Sequence, residues 1–432
     1  MFICNNINVN NEGHLTFAGQ DVTLLAEKYG TPLYLMDEEK IRENCRIYTD
    51  AFSKYFGDNA MPLFASKAAS FKRLYEIMAE EGMGTDVVSS GEIYTALKAG
   101  FNLENSYFHS NNKTDRDISF AMENGVGHFV VDNIEELKVI NETAGEMGKK
   151  QKVLLRITPG IDPHTFEAIS TGKVDSKFGS AIETGQAEEI TLQALAMENI
   201  VLEGFHCHIG SQIFETEPFY SAAEVMLDFI GEMKEKHGFV ATQLNLGGGY
   251  GVRYTEKDPV FDIDGSIKQV AQYVKTKCAE MKIECPKILM EPGRSIVANA
   301  GMTLYTAGTV KKIPGFKAYV SIDGGMPDNP RYALYKADYT VINASKMNDE
   351  PNLECSVVGR CCESGDIIQE NISLVEPARG DIIAVLTTGA YNYSMASNYN
   401  RIGKPPVVMI GKNGDYIAVR GETLDDIVRN DI

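Results

Sequence analysis

Several things that this chain of 432 residues lacks narrow what it can be. It has no apolar run long enough to span a bilayer. Its first residues, Met-Phe-Ile-Cys-Asn-Asn, carry neither a basic region nor the apolar stretch of a secretory signal. The eight cysteines contain no C-x-x-C pair and no dense short framework, so they read as reduced thiols rather than disulfide staples or zinc knuckles. Basic charge is in deficit: 41 Lys and Arg face 60 Asp and Glu, for a formal net charge of −19. That balance argues against nucleic acid or an anionic membrane as partner. A phosphate-bearing ligand would have to be held by local donors, against the global field. Together these features lead us to expect a cytoplasmic protein.

What is present is an ordinary globular composition, 44% hydrophobic and 23% charged, at a length that implies two domains. Short strands with a turn at Asn11-Glu-Gly13 and an amphipathic helix over 22–29 open the chain, and Asp37 can cap the long helix that follows. From Pro62 short apolar runs alternate with helical segments, the pattern of βα units on a parallel sheet. The runs are 63–66, 85–88, 106–109, 128–132, 153–158, 201–208, 243–246 and 288–290, with helices between them; Ser89 and Glu92 are spaced as a capping box. Eight such units over this length predict a (β/α)8 barrel. A doubly wound sheet is the alternative, but no G-x-G-x-x-G turn follows the first strand. After about Ala300 strand-like runs (302–310, 318–322, 353–358, 381–386, 407–410 and 416–420) are separated by Gly, Pro, Asn and Asp, which predicts an antiparallel β-domain. The expected division is a barrel over 37–296 and a β-domain over 297–432 that also takes strands from 1–36.

In a (β/α)8 barrel the reacting groups sit at the C-terminal strand ends. Here those ends read Lys67; Asp86 with Ser89 and Ser90; His109-Ser-Asn-Asn112; Asp132; Arg156; His206-Cys-His208-Ile-Gly-Ser211; Gly247-Gly-Gly249; and Glu291-Pro-Gly-Arg294. Eight polar mouths are better explained by one convergent site than by a structural barrel. Each group also has a plainer reading. Lys67, closing the apolar run Leu63-Phe-Ala-Ser66, could snorkel to solvent or could be a desolvated amine forming a Schiff base with a carbonyl cofactor. Gly247–Gly251 could be a common loop or a cradle of backbone N–H groups for phosphate. Glu291 and Arg294 could form an internal ion pair, or could meet a ring nitrogen and an anion. His206 and His208 face one side of a strand, but no third ligand is evident nearby, so a metal is the weaker reading. One of them could instead lie flat against an aromatic cofactor, with Ser211 reaching its phosphate.

The motifs Phe64-Ala-Ser-Lys67, Ile169-Ser-Thr-Gly172, Ser176-Lys-Phe-Gly179, Phe205-His-Cys-His-Ile-Gly-Ser-Gln212, Leu246-Gly-Gly-Gly249, Glu291-Pro-Gly-Arg294, Cys362-Glu-Ser-Gly-Asp366 and Thr388-Gly-Ala-Tyr391 follow one another in this order. In that order they resemble the barrel-type, alanine-racemase-like pyridoxal phosphate decarboxylases, and most of all the diaminopimelate decarboxylase branch. The resemblance runs from about Gly30 to the C-terminus. It implies that Lys67 carries pyridoxal 5'-phosphate and His208 stacks on its ring. Ser211, Gly247, Gly248, Gly249 and Tyr391, aided by Arg294, would hold the phosphate. Asp86 is a further cofactor-facing position, and Glu291 would pair with the ring nitrogen. A carboxylate there keeps the pyridinium protonated, favouring decarboxylation over racemisation. The resemblance also implies that Arg294, Arg331 and Tyr335 meet a distal substrate carboxylate and Glu363 an ammonium, with Tyr391 a further substrate-binding position. Cys362, which spacing to Glu363 favours over Cys361, or Lys67 would protonate the α-carbon. Cys362 and Glu363 are expected to reach the site from the neighbouring subunit of a homodimer. The rival readings are a decarboxylase of ornithine, arginine or carboxynorspermidine, a non-catalytic cofactor carrier, and a metal-dependent barrel hydrolase.

Overall fold

A computed structural model describes residues 3–161 and 176–432; the Ile169–Gly172 motif lies outside the described residues. Contacts divide the chain into two compact units. The first unit is Asn44–Gly251 with Val260–Gly293. The second gathers Met1–Glu43, Val252–Pro259 and Arg294–Ile432. The short segment Val252–Pro259 thus leaves the barrel portion of the sequence to join the other unit.

The first unit is a barrel. Its strands are β1 (Ala60–Ala65), β2 (Gly84–Val87), β3 (Ser106–Phe108), β4 (His128–Val131), β5 (Gln151–Thr158), β6 (Ile200–His206), β7 (Gln243–Asn245) and β8 (Lys287–Met290). Every neighbouring pair is parallel, and the ring closes through β4 against β5 and β8 against β1. The apolar runs of the sequence become these strands because both faces are buried, one inside the barrel and one under helices. Leu63, Tyr107, Val130, Leu154 and Leu289 pack together as one buried cluster. The helices fall where periodicity placed them, Asp115–Glu123 among them, with Thr114 accepting from the Asp117 N–H. The Ser89–Glu92 capping box is only half made. Ser89 accepts from the Glu92 N–H, but the Glu92 carboxylate turns to the Val88 N–H and the Ser66 hydroxyl. That departure ties a helix start to the residue before Lys67.

The second unit is a nine-stranded sheet and a small three-stranded one. The expected antiparallel β-domain is present, with two parallel pairs within its larger sheet. Ala318–Ile322 pairs parallel to Leu353–Val358, and the N-terminal strand Leu33–Asp37 pairs parallel to Val407–Gly411 while lying antiparallel to Gly301–Lys312. A parallel pair needs a long crossover, and residues 323–352 supply it for the first pair. Strands Val341–Asn343 and Ile367–Leu374 were not expected. In the latter, Asn371 at φ 55° and register shifts against its neighbour break the alternation that marks a strand. Among the described residues no helix is long and apolar enough to cross a membrane.

A buried carboxyl lies inside this unit. Asp328 accepts from the Gly325 N–H at 3.0 Å and from the Tyr305 hydroxyl, and burial pushes its pKa up to about 7. Unfolded, the same group loses its proton near pH ~4. The folded state therefore holds the extra proton between these values, and stability falls as pH rises from about 4 to about 7, by on the order of 4 kcal/mol. Asp328→Asn is expected to remove that part of the pH dependence. Denaturant melts at pH 5 and pH 8 check it; equal pH slopes in the two proteins would contradict it.

Candidate active site

The C-terminal ends of the barrel strands carry the groups that the sequence placed there. β1 ends in a tight turn, Ser66–Ala68, whose flanks are buried while Lys67 itself is exposed. Two acids fix that turn. Asp86, at the end of β2, accepts the Ser66 N–H at 3.1 Å, and Glu92 accepts the Ser66 hydroxyl at 2.9 Å. The desolvated lysine weighed from the sequence is thus an exposed one on a rigid turn.

The loops after β6 and β7 interlock. The Ile213 N–H donates to the Gly249 carbonyl, and the Gly251 N–H donates back to the Ile213 carbonyl, both at 2.9 Å. Ser211 therefore stands on a loop tied to the glycine turn. His208 Nδ1 accepts from the Gly248 N–H at 3.3 Å, and burial with the nearby charges of Lys67 and Arg156 holds its pKa well below the ordinary value. A neutral imidazole results. Only glycine serves at the turn: a Cβ on Gly248 would lie 2.0 Å from the Glu291 carbonyl oxygen, and Gly247 has φ 69° with the Cys207 carbonyl 2.5 Å from such an atom. The cost of any side chain there is steric, and the Gly247 N–H, like that of Gly248, is engaged within the site, donating to Asn245 Oδ1 at 2.9 Å.

Glu291 follows β8 and is 6% exposed. Asn245 Nδ2 donates to its Oε1 at 2.7 Å, His109 Nε2 lies 2.8 Å from the same oxygen, and His206 Nε2 lies 3.2 Å from Oε2. Burial alone would raise its pKa; His109 and His206 beside it hold it well below the usual carboxylate range. Burial meanwhile pushes His206 down to about 4. Asp86 moves the other way, raised by burial and then by the charge of Glu291. The two buried acids are thus shifted in opposite directions, Glu291 toward its ionised form and Asp86 toward its protonated form.

The sequence missed part of this arrangement. Asn245 is a polar residue inside a strand just before the glycine turn, and that was the available signal. His109 closes an apolar run in the sequence, with nothing there to show what it meets. With Glu291 and His206 it forms a group whose ligand atoms all lie within 4.8 Å of one another, close enough for a metal ion. The third ligand that His206 seemed to lack is therefore Glu291, and His208 is not part of the set.

The second unit holds the remaining predicted residues. Arg294 and Arg331 are 7% and 8% exposed. Arg294 Nη1 donates to the Tyr254 hydroxyl at 2.7 Å, and its guanidinium lies 4.8 Å from the Tyr391 ring. Arg331 Nη1 donates to the Tyr339 hydroxyl at 2.9 Å. Tyr335 closes the short helix Arg331–Tyr335 but is 41% exposed and makes none of these contacts. Cys362 and Glu363 are exposed on a loop anchored by Asp366, whose carboxylate accepts the Met326 and Cys361 N–H groups at 2.6 and 2.7 Å. The Cys361 thiol is pushed up to about 12 by burial and by Asp366.

An ionised carboxylate buried among donors is costly unless a cation is to meet it. A protonated pyridine nitrogen is such a cation, and Lys67 suits its aldehyde. The residues present fit pyridoxal phosphate, and the barrel is of the pyridoxal phosphate class. The comparisons with known proteins agree. The model of the "Pyridoxal-dependent decarboxylase, pyridoxal binding domain" family matches residues 38–298. The chain is 44% identical over 432 residues to the diaminopimelate decarboxylase of Bacillus subtilis (strain 168), covering 100% of this chain and 98% of that one. It is 42% identical to that of Staphylococcus aureus (strain COL), covering 98% and 99%. It also superposes with a TM-score of 0.92 on the crystal structure of diaminopimelate decarboxylase from M. jannaschii in complex with L-lysine, at 36% identity over 100% of this chain and 99% of that one. The chain belongs to the diaminopimelate decarboxylase family of pyridoxal-dependent decarboxylases.

Proposed function

We propose that this enzyme decarboxylates meso-2,6-diaminopimelate at its D-centre, giving L-lysine and CO2, the last step of lysine biosynthesis. The observation that carries the reaction class is Glu291, a buried carboxylate held ionised by Asn245, His109 and His206. When bound, pyridoxal phosphate supplies a conjugated ring that accepts the electron pair of the broken Cα–carboxylate bond. Lys67 would provide the amine that holds the cofactor's aldehyde. Glu291 keeps the ring nitrogen protonated, with Asp86 as a further cofactor-facing acid. His208 would lie against the ring, and Ser211, Gly247, Gly248, Gly249 and Tyr391 would hold the phosphate with help from Arg294. Cys362 of the partner subunit, or Lys67, returns a proton to the α-carbon. Glu363 of the partner subunit faces the distal ammonium. The working form is a cytoplasmic homodimer that shares its sites.

The substrate is argued from Arg331. Its guanidinium is buried, and among the described residues its partners are tyrosines and no carboxylate. A buried cation in that state is a ready site for the distal carboxylate, which Arg294 and Tyr335 would also meet. Diamino acids without that carboxylate have no use for it. The test is a substrate panel of meso-diaminopimelate, ornithine, arginine and carboxynorspermidine, assayed by CO2 release. Turnover of ornithine but not of meso-diaminopimelate would overturn the reading. In the same assay Arg331→Ala is expected to raise KM for meso-diaminopimelate by roughly 10²-fold, the scale of a truncated buried charge pair. An unchanged KM would contradict the role.

A further inference from the structure

Tyr254 lies beside both guanidiniums. Arg294 Nη1 donates to its hydroxyl at 2.7 Å, and the Arg331 guanidinium stands 5.1 Å from its ring centroid. Tyr339, which accepts from Arg331, packs edge-on against the same ring at 5.4 Å. The backbone of Tyr254 is pinned on both sides. Its N–H donates to Asp258 Oδ2 at 2.8 Å, and its carbonyl accepts the Thr340 hydroxyl at 2.8 Å. At 5% exposure the ring has little room to leave. Two neighbouring buried cations repel each other strongly in a low-dielectric setting. The phenol oxygen is a fixed acceptor that reduces that cost before any substrate arrives.

We infer that Tyr254 is a positioning residue that sets selectivity for a substrate with a second carboxylate, by holding Arg294 and Arg331 as one donor array. The inference rests on the reading that these arginines meet the distal carboxylate. In its neutral form the phenol accepts from Arg294 and can donate its own proton to the incoming carboxylate. Once ionised it can only accept, and it competes with that carboxylate for both guanidiniums. Burial alone would raise the pKa of Tyr254, but the charges of Arg294 and Arg331 more than offset this and leave it below the ordinary tyrosine value. The other titratable groups beside it are Tyr339 and Asp258, and Tyr391 lies against the Arg294 guanidinium.

The test compares the full-length, cofactor-loaded enzyme with Tyr254→Phe, which keeps the ring and removes the hydroxyl, on meso-diaminopimelate from neutral to alkaline pH. Tyr254→Phe is expected to raise KM about tenfold, the scale of one hydrogen bond to a charged group, with kcat within about twofold. The unaltered enzyme should show a KM that climbs at alkaline pH, and the variant should lose that climb. An unchanged KM with the same alkaline climb, or a fall in kcat alone, would overturn the inference. Failure of the unaltered enzyme to turn over meso-diaminopimelate would instead remove the reading beneath it, and the inference with it. If Tyr254→Phe does not fold, inhibition of the unaltered enzyme by pimelate, a dicarboxylate without amines, decides the matter. Its inhibition constant must rise at alkaline pH, and a flat profile would overturn the inference.

Discussion

Lys67→Ala is expected to abolish decarboxylation, with a loss on the order of 10³-fold or more, because it removes the only covalent hold on the cofactor. The fold should not notice. Lys67 is exposed, and the turn that carries it is fixed by its neighbours, through Asp86 on the Ser66 N–H and Glu92 on the Ser66 hydroxyl. Lys67→Arg should be equally inactive, since a guanidinium keeps the charge but offers no nucleophilic amine. The measurement is CO2 release from meso-diaminopimelate alongside thermal unfolding. Residual activity within tenfold of the unaltered enzyme would contradict the role of Lys67. So would a collapse of stability, which would mean that the loss was structural.

Glu291→Gln should cost about 10²–10³-fold in kcat, the range found when one preorganised electrostatic partner is removed from a water-poor site. Glutamine keeps the size of the side chain and an oxygen for Asn245, so packing is nearly conserved. What it lacks is the charge that a pyridinium needs. KM should move far less than kcat, because the contact matters most as the electron pair enters the ring. Glu291→Ala should in addition lower stability by about 1–3 kcal/mol, since it leaves Asn245, His109 and His206 buried around a cavity. Steady-state kinetics on both variants check this. A kcat within threefold of the unaltered enzyme in Glu291→Gln would show that the ring nitrogen does not depend on this carboxylate.

The barrel was legible because parallel strands buried on both faces leave a plain signature, short apolar runs at regular spacing, and reading what ended each run brought Asp86, His208 and Glu291 to the strand ends. The mixed pairing of the second sheet was not legible. Whether Leu33–Asp37 lies parallel to Val407–Gly411 is decided by chain reversals far from either strand. The surroundings of Glu291 were only half visible. His206 was visible as one of two same-side histidines, but not the carboxylate beside it, which follows a strand two further along the barrel. Tyr254 was invisible for a related reason: it sits just beyond the glycine turn, in barrel sequence, yet its contacts belong to the other unit. Local pattern reports which face a residue takes, and long-range contacts report what it meets there.

The most direct measurement is a visible spectrum of the purified enzyme after addition of pyridoxal phosphate. The account predicts a band near ~420 nm, the mark of a cofactor bonded to a lysine amine, and predicts its absence in Lys67→Ala. A colourless enzyme that gains no such band when the cofactor is added would contradict the account at its centre.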